Sequence, residues 1–429
     1  MPRQESLNRS ILRIAIPAIV SNITTPVLGL VDVALVGHFG AAAYIGAIAL
    51  GGTMFNMLYW LFGFLRMGTA GITAQAFGAA DRTAQSAALR RSLLLALGGA
   101  LPLIGLSAIL APALLSFLDA GDAVQPAALR YFGICIWGAP AVLGLYTLNG
   151  WWLGMQDSRT PMWVALGVNV ANIAISLTLV LGAGWRIEGV AAGTLGAQWL
   201  GFLAGLAVTA RRYRPVRVSV RQLFHRADMH RMLTVNADIF LRTLCLVAVT
   251  VWFTRTGASQ GVEILAANAL LMQFFMFFSY FSDGFAFAGE ALAGRFAGAS
   301  DHSSLHTATR RLLRWGWGIA ACFTILYFTG GQAILHLLTS ERQVAAAAAE
   351  YLPWAVSIPA LGIAAFIYDG IFVGTTRTRR MLVAMLAATA VYFAAWLALM
   401  PALGNHGLWL AFALYLATRS AAMHFLRPR

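Results

Sequence analysis

Residues 11–37 read ILRIAIPAIVSNITTPVLGLVDVALVG, and this stretch decides the fold. It is apolar for longer than the roughly 20 residues that cross a bilayer core. Its length and flanks do not suit a cleaved signal peptide, so it is expected to stay in the mature chain. Eleven similar blocks follow, at 45–77, 92–118, 129–153, 161–183, 189–210, 233–254, 264–294, 309–337, 350–373, 381–402 and 407–425. The second and eighth exceed one span and are expected to project beyond the membrane. Composition agrees: 59% of the 429 residues are hydrophobic and 11% charged, with mean hydropathy +0.73. A soluble domain carries about 25% charged residues. The sequence therefore predicts an all-α membrane protein of twelve transmembrane helices.

All 30 basic residues are arginine, and with 16 acids the net charge is +14. The arginines are spread over several connections rather than gathered into one patch, which argues against nucleic acid. Their distribution is topogenic. With the N-terminus in the cytoplasm, 24 arginines fall at cytoplasmic ends, Arg419 among them. Only Arg130, Arg186, Arg255 and Arg342 fall opposite. This asymmetry requires an even number of spans and returns the C-terminus to the cytoplasm. Residues 211–231 form the one long polar stretch and read as a basic cytoplasmic linker between an N-terminal lobe, 1–210, and a C-terminal lobe, 232–429. Cys135, Cys245 and Cys322 lie in apolar stretches with no metal-site spacing.

A shift of 220 residues reveals an internal repeat. Residues 45–50 lie over 265–270, Gly78-Ala79-Ala80-Asp81 over Gly298-Ala299-Ser300-Asp301, and Asn149-Gly150 with Gly154 over Asp369-Gly370 with Gly374. Six helices separate equivalent points, and an even number preserves orientation. The two six-helix lobes are thus expected to be related by a pseudo-two-fold axis along the membrane normal, an architecture suited to alternating access.

A charged group at mid-membrane costs at least roughly 2.5–3.5 kcal/mol on insertion scales, so each one asks for a purpose. Asp32 stands in Pro26-Val27-Leu28-Gly29-Leu30-Val31-Asp32. There it can exchange a proton or neutralise a cationic substrate. The plainer alternative is permanent bonding to Asn or Ser on a neighbouring helix. Pro17 and Pro26 each remove a helix hydrogen bond, so the first helix is expected to bend. Asn22, Asn169, Asn172, Ser176 and Thr194 supply polar groups on helices 1, 5 and 6, with Asn172 and Ser176 one turn apart. They complete a site around Asp32 or form ordinary interhelical bonds. Asp238 and Arg242, four residues apart, are expected to pair with each other. Arg66 requires an acidic or carbonyl partner. Asp283, Glu290 and Asp369 are second-rank candidates for coupling. The Met- and Phe-rich run 272–281 suits apolar ligands or plain packing. No nucleotide, zinc, serine-nucleophile or CxxC motif occurs, so neither an enzyme nor a cofactor or metal is expected.

These residues together resemble the multidrug and toxic compound extrusion (MATE) family, in its DinF-like branch. The carriers are Ile16-Pro17 with Gly29-Leu30-Val31-Asp32, Gly63-Phe64-Leu65-Arg66-Met67-Gly68-Thr69, Asn236-Ala237-Asp238, Asp283-Gly284 through Glu290, and Asp369-Gly370 through Gly374. The resemblance covers nearly the whole chain. It implies two six-helix lobes and drug export driven by protons or sodium. Asp32 matches the carboxylate assigned to proton and substrate, Pro17 the proline whose kink accompanies protonation, and Asn172 and Thr194 members of the same network. Ser176 departs from the pattern, because some members carry a second acid there. Asp32 would then act largely alone.

The expected function is a proton-coupled multidrug antiporter exporting amphipathic, often cationic compounds across a bacterial inner membrane. A monomer in contact with lipid is expected. A sodium-coupled antiporter and a lipid-precursor flippase are the alternatives. The flippase predicts a strongly cationic cleft, where Asp32 would be repulsive. The flippase and an intramembrane enzyme both rank low.

Overall fold

Why twelve blocks become twelve helices follows from their content: long apolar runs, with backbone groups that must bond internally in lipid. The computed structural model describes residues 6–37, 42–118, 121 and 124–427, and the side chains of these outside 25–37 and 42–45. Among the described residues there is no strand. In chain order the helices are α1 (Leu7–Gly37), α2 (Ala42–Leu61 and Phe64–Gly78), α3 (Arg82–Gly105 and Ser107–Phe117) and α4 (Gln125–Cys135, then Ala139–Gly154). Next come α5 (Arg159–Leu177), α6 (Ile187–Val208), α7 (Arg226–Ala258) and α8 (Val262–Gly298). The last are α9 (His302–Leu338), α10 (Arg342–Gly374), α11 (Thr378–Leu403) and α12 (Asn405–Phe425). Ten helical stretches among the described residues are long and apolar enough to cross a membrane.

The breaks have local causes. In α2 the bonds tighten: Phe62 N–H donates to the Tyr59 carbonyl and Gly63 N–H to that of Trp60, both at 3.0 Å. The long second block is thus two helices in series. In α4 the tight turn Ile136–Gly138 precedes Pro140. Pro140 cannot donate to the carbonyl four residues back and crowds it. By contrast α8 is unbroken over 37 residues. At 1.5 Å per residue it spans about 55 Å, well beyond a bilayer core of roughly 30 Å.

Contacts divide the chain into two units, one of residues 20–232 and one of 1–19 with 233–429. The expected N-terminal lobe thus yields its first nineteen residues to the other unit. There Gly284 of α8 lies against Ala15 and Ile19, and the Trp315 indole N–H donates to Asn8 Oδ1. In the first unit, Phe55 stacks on Phe132 with centroids 4.8 Å apart within one apolar core. A second core holds Trp151 and Trp152, whose indole N–H groups donate to the Gln85 carbonyl and to Thr209 Oγ1. The basic linker packs onto α3. Arg90 donates to the carbonyls of Val216 and Val218, and Arg91 to those of Gln222 and Leu223 and to Asp228.

In the second unit, the aromatic run of α8 is mostly packing: Phe274 and Phe278 are buried against Tyr327 and Phe323 of α9. Tyr327 donates its hydroxyl proton to the Phe274 carbonyl at 2.7 Å. At the start of α12, Asn268 and Asn405 exchange amide bonds of 2.8 and 2.9 Å, and Trp409 donates to Asn268.

The repeat is written into the geometry of each unit. A Cβ on Gly150 would strike the carbonyl of Arg66, and one on Gly370 that of Ala286, 220 residues later in both partners. Gly154 meets Ala70 and Ala74, and Gly374 meets Glu290 and Gly294, in the same register. The glycines let α4 close on α2, and α10 on α8, backbone to backbone. Such proximity is how membrane helices gain packing energy without a hydrophobic drive. The turns repeat too. Ala80 and Ser300 have φ of 54° and 56°, and the following Asp81 and Asp301 each accept from the N–H three residues on at 2.9 Å.

Candidate substrate and ion site

In the first unit, α5 and α6 bring Asn172, Thr194 and Ser176 together. The Asn172 amide donates to Thr194 Oγ1 at 2.9 Å, and Thr194 donates in turn to the Val190 carbonyl. Asn172 is 1% exposed and Ser176 fully buried. Asn172 Oδ1 and Ser176 Oγ have no hydrogen-bond partner among the described residues. Burying such a group without a partner costs about 1–3 kcal/mol. The same holds for other buried polar atoms, among them Asn149 Oδ1 in this unit and both amide atoms of Asn236 in the second. The Cα of Gly193 sits against Ser176, so α6 approaches closely there.

Helix α1 reaches the same level. Asn169 Nδ2 donates to the Thr24 carbonyl at 3.4 Å, which sets the register of α1 against α5. Both helices run on from this contact toward their C-terminal ends, with Asp32 eight residues beyond Thr24 and Ser176 seven beyond Asn169. The side chains of Asp32 and Pro26 lie outside the described residues. Asn22 is half-buried, and Pro17 is buried ten residues into α1. Arg66, half-buried on α2, lies within electrostatic reach of Tyr146.

The second unit gathers charge instead. Asp369 on α10 is held by two guanidinium groups, Arg242 from α7 and Arg419 from α12, both on the same carboxylate oxygen. Their side chains are 12% and 3% exposed and that of Asp369 is 7% exposed. This corrects the expected Asp238–Arg242 pair. Asp238 turns the other way, accepting from Thr378 Oγ1 at 2.9 Å with Arg379 at 3.5 Å. Four residues along a helix make a shallow, surface-type pair, and both groups find better-placed partners on neighbouring helices. It also corrects Arg419, which belongs to this interior cluster and not to the topogenic set. Its place six residues inside the last apolar block was the available signal, outweighed by its nearness to the basic C-terminus. Asp283 acts electrostatically on Arg419, and Glu290 is 1% exposed on α8.

Outside the membrane, Asp157 joins α4 to α5. Burial pushes its carboxyl up, but bonds from Tyr213 and Thr160 and the charge of Arg212 outweigh this and hold it below the usual range. No group of three or more metal-ligating side chains occurs among the described residues.

A duplicated bundle of helices long and apolar enough to cross a membrane, with buried polar and charged groups set among them, defines a multi-pass membrane carrier. The MatE family profile matches residues 17–178 and 237–395, and the chain belongs to that family, whose members are transporters and not enzymes. It is 37% identical to DNA damage-inducible protein F of Escherichia coli K12, over 97% of this chain and 91% of that one. It is 23% identical to a protein described as a probable multidrug resistance protein NorM of Geobacillus kaustophilus, over 97% and 94% of the two chains. Among solved structures, a MATE transporter in a bent conformation superposes with a TM-score of 0.87 at 17% identity, covering 99% of this chain and 95% of the other.

Proposed function

We propose that this transporter exports amphipathic, often cationic organic compounds across a bacterial inner membrane in exchange for protons, by alternating access, with Asp32 as the exchanging group. The reading places both termini in the cytoplasm, on the arginine-rich side. Relatives described as multidrug resistance proteins support the substrate class.

The observation that carries the choice of site is the contrast between the units. In the second, Asp369 is matched by two arginines, and Asp238 accepts from Thr378 with the exposed Arg379 beside it, so these two acids already have partners. In the first, Asn172 and Ser176 carry buried polar atoms with no partner among the described residues, on the helix that α1 meets through the Thr24–Asn169 bond. A carboxyl there gains hydrogen-bond partners in either protonation state, and it can hold a proton or a cationic group but not both. Protonation from outside releases the substrate, and loss of the proton inside restores the site. A proton crossing 100 mV supplies about 2.3 kcal/mol. Each pH unit adds about 1.4 kcal/mol. Exchange of one proton for one monocation is electroneutral and runs on the pH gradient alone.

The test is efflux from proteoliposomes under imposed proton or sodium gradients. A proton gradient is expected to drive export, and Asp32→Asn to abolish the response. Export driven by sodium alone would overturn the proton assignment.

A further inference from the structure

We propose that the outer groove between α5 and α6 is a binding site for one acyl chain of an anionic phospholipid, whose headgroup rests on the arginines at its end. The groove encloses about 380 Å³. Small residues from both helices line it, Gly167 and Ala171 on α5 and Gly201 and Ala204 on α6, with the bulky Trp163 and Leu200 as its rims; Gly201 is buried, and Gly167 and Ala204 are open to the outside. The rims are 66% and 55% exposed, although both residues lie inside membrane-spanning helices. A cleft with apolar walls, open along its length within a bilayer, takes hydrocarbon.

Its dimensions fit one leaflet. From Thr160 to Ala171 the lining runs eleven residues along α5, about 17 Å at the helical rise. Half of a roughly 30 Å hydrocarbon core is about 15 Å. The groove therefore starts at one membrane surface and ends near the midplane, as a single chain does.

The two ends differ in charge. At the surface end Arg212 Nη1 bonds to Thr160 Oγ1 of the lining at 2.9 Å and lies 3.1 Å from Asp157 Oδ2. The side chain of Arg212 remains 61% exposed. Arg159, beside Thr160, and Arg211, beside Arg212, are exposed at the same end. Three arginines against one aspartate leave a net charge of +2 there, complementary to a phosphodiester. Trp163, one turn in from Arg159, is the residue type that settles at headgroup level. A zwitterionic lipid fills the groove equally well but gains little from the arginines. The signature of the site is thus retention with headgroup selectivity.

The experiment is native mass spectrometry of the full-length protein, delipidated in detergent and re-exposed to phosphatidylglycerol or phosphatidylcholine. Wild type is expected to keep one phosphatidylglycerol with an order-of-magnitude preference, roughly fivefold per exposed arginine for Arg159 and Arg211. Gly167→Leu adds bulk at a residue of the lining where an added Cβ meets nothing within 4 Å. It is expected to remain folded and to lose the bound lipid. Gly98→Leu on α3, also open to 4 Å, is the control and should retain it. Arg159→Gln with Arg211→Gln should keep a lipid but lose the preference. Equal retention by Gly167→Leu, or equal binding of both lipids by wild type, would overturn the site. So would Gly167→Leu losing export while keeping its lipid, because the groove would then belong to the transported compound.

Discussion

Replacing Asp369 by asparagine should destabilise the second unit more than any loss of its arginine partners. In the native cluster two guanidinium groups, Arg419 buried and Arg242 nearly so, share one carboxylate oxygen, so Asp369 is the acid in direct contact with both. Asp369→Asn keeps the shape and removes the charge, leaving Arg242 and Arg419 facing each other. Breaking a buried ion pair from one side costs about 3–5 kcal/mol. Arg419→Met leaves Asp369 still held by Arg242 and removes one charge-assisted bond, worth about 1.5–3 kcal/mol. The double variant also removes the repulsion between the guanidiniums, so it should be milder than the sum of the singles by about 0.5–3 kcal/mol. The assay is thermal unfolding of the purified protein in detergent, with the folded fraction read by size exclusion after heating. The expected order of midpoints is wild type, Arg419→Met, then Asp369→Asn, with a sub-additive double variant. If Arg419→Met melted below Asp369→Asn, or the two losses simply added, Asp369 would not be the hub and the charge-matching argument for the second unit would fail.

Three further outcomes follow from the same geometry. Gly150→Ala and Gly370→Ala each force a Cβ against a backbone carbonyl and should cost at least 1–3 kcal/mol by overpacking; Gly98→Ala, open on all sides, should be neutral or gain up to about 1 kcal/mol in the same melting assay. Asn172→Ala removes a bond of about 0.6 kcal/mol, so its midpoint should barely move while export falls sharply. An unchanged efflux rate in that variant would show that the α5–α6 polar cluster only packs. Asp157, held down in the folded state, stabilises the protein above its unfolded pKa of about 3.9 and loses that effect as pH falls through its lower folded value. The midpoint gap between wild type and Asp157→Asn should therefore be constant from pH 8 to about 5 and shrink only below about 4.

Hydrophobic block length alone made the fold legible, because backbone bonding in lipid leaves helices as the only choice for such runs. The repeat was legible for a sharper reason. Gly150, Gly154, Gly370 and Gly374 sit where two backbones touch, so their spacing could not drift apart between the halves. The partners of the interior charges were not legible. Asp238, Arg242, Asp369 and Arg419 lie on three different helices, and one-dimensional spacing ranks the wrong neighbour first. Arg419 shows the same limit from the other side. Near a basic terminus, sequence position reads as topology, while three-dimensional position makes the residue a counter-ion. The start of α1 packs with the second unit for a comparable reason: Gly284, far along the chain, supplies the hollow that takes Ala15 and Ile19.

Proton exchange at Asp32 is tested most directly by what moves when the α1 carboxyl loses its ability to ionise. Counterflow of a fluorescent monocation should be followed in liposomes holding wild type or Asp32→Asn, with an inward pH gradient, sodium absent, and matched thermal midpoints confirming that both are folded. Wild type is expected to show uphill extrusion with concurrent proton entry, and the variant neither. Proton-driven extrusion by a folded Asp32→Asn protein would contradict exchange at Asp32.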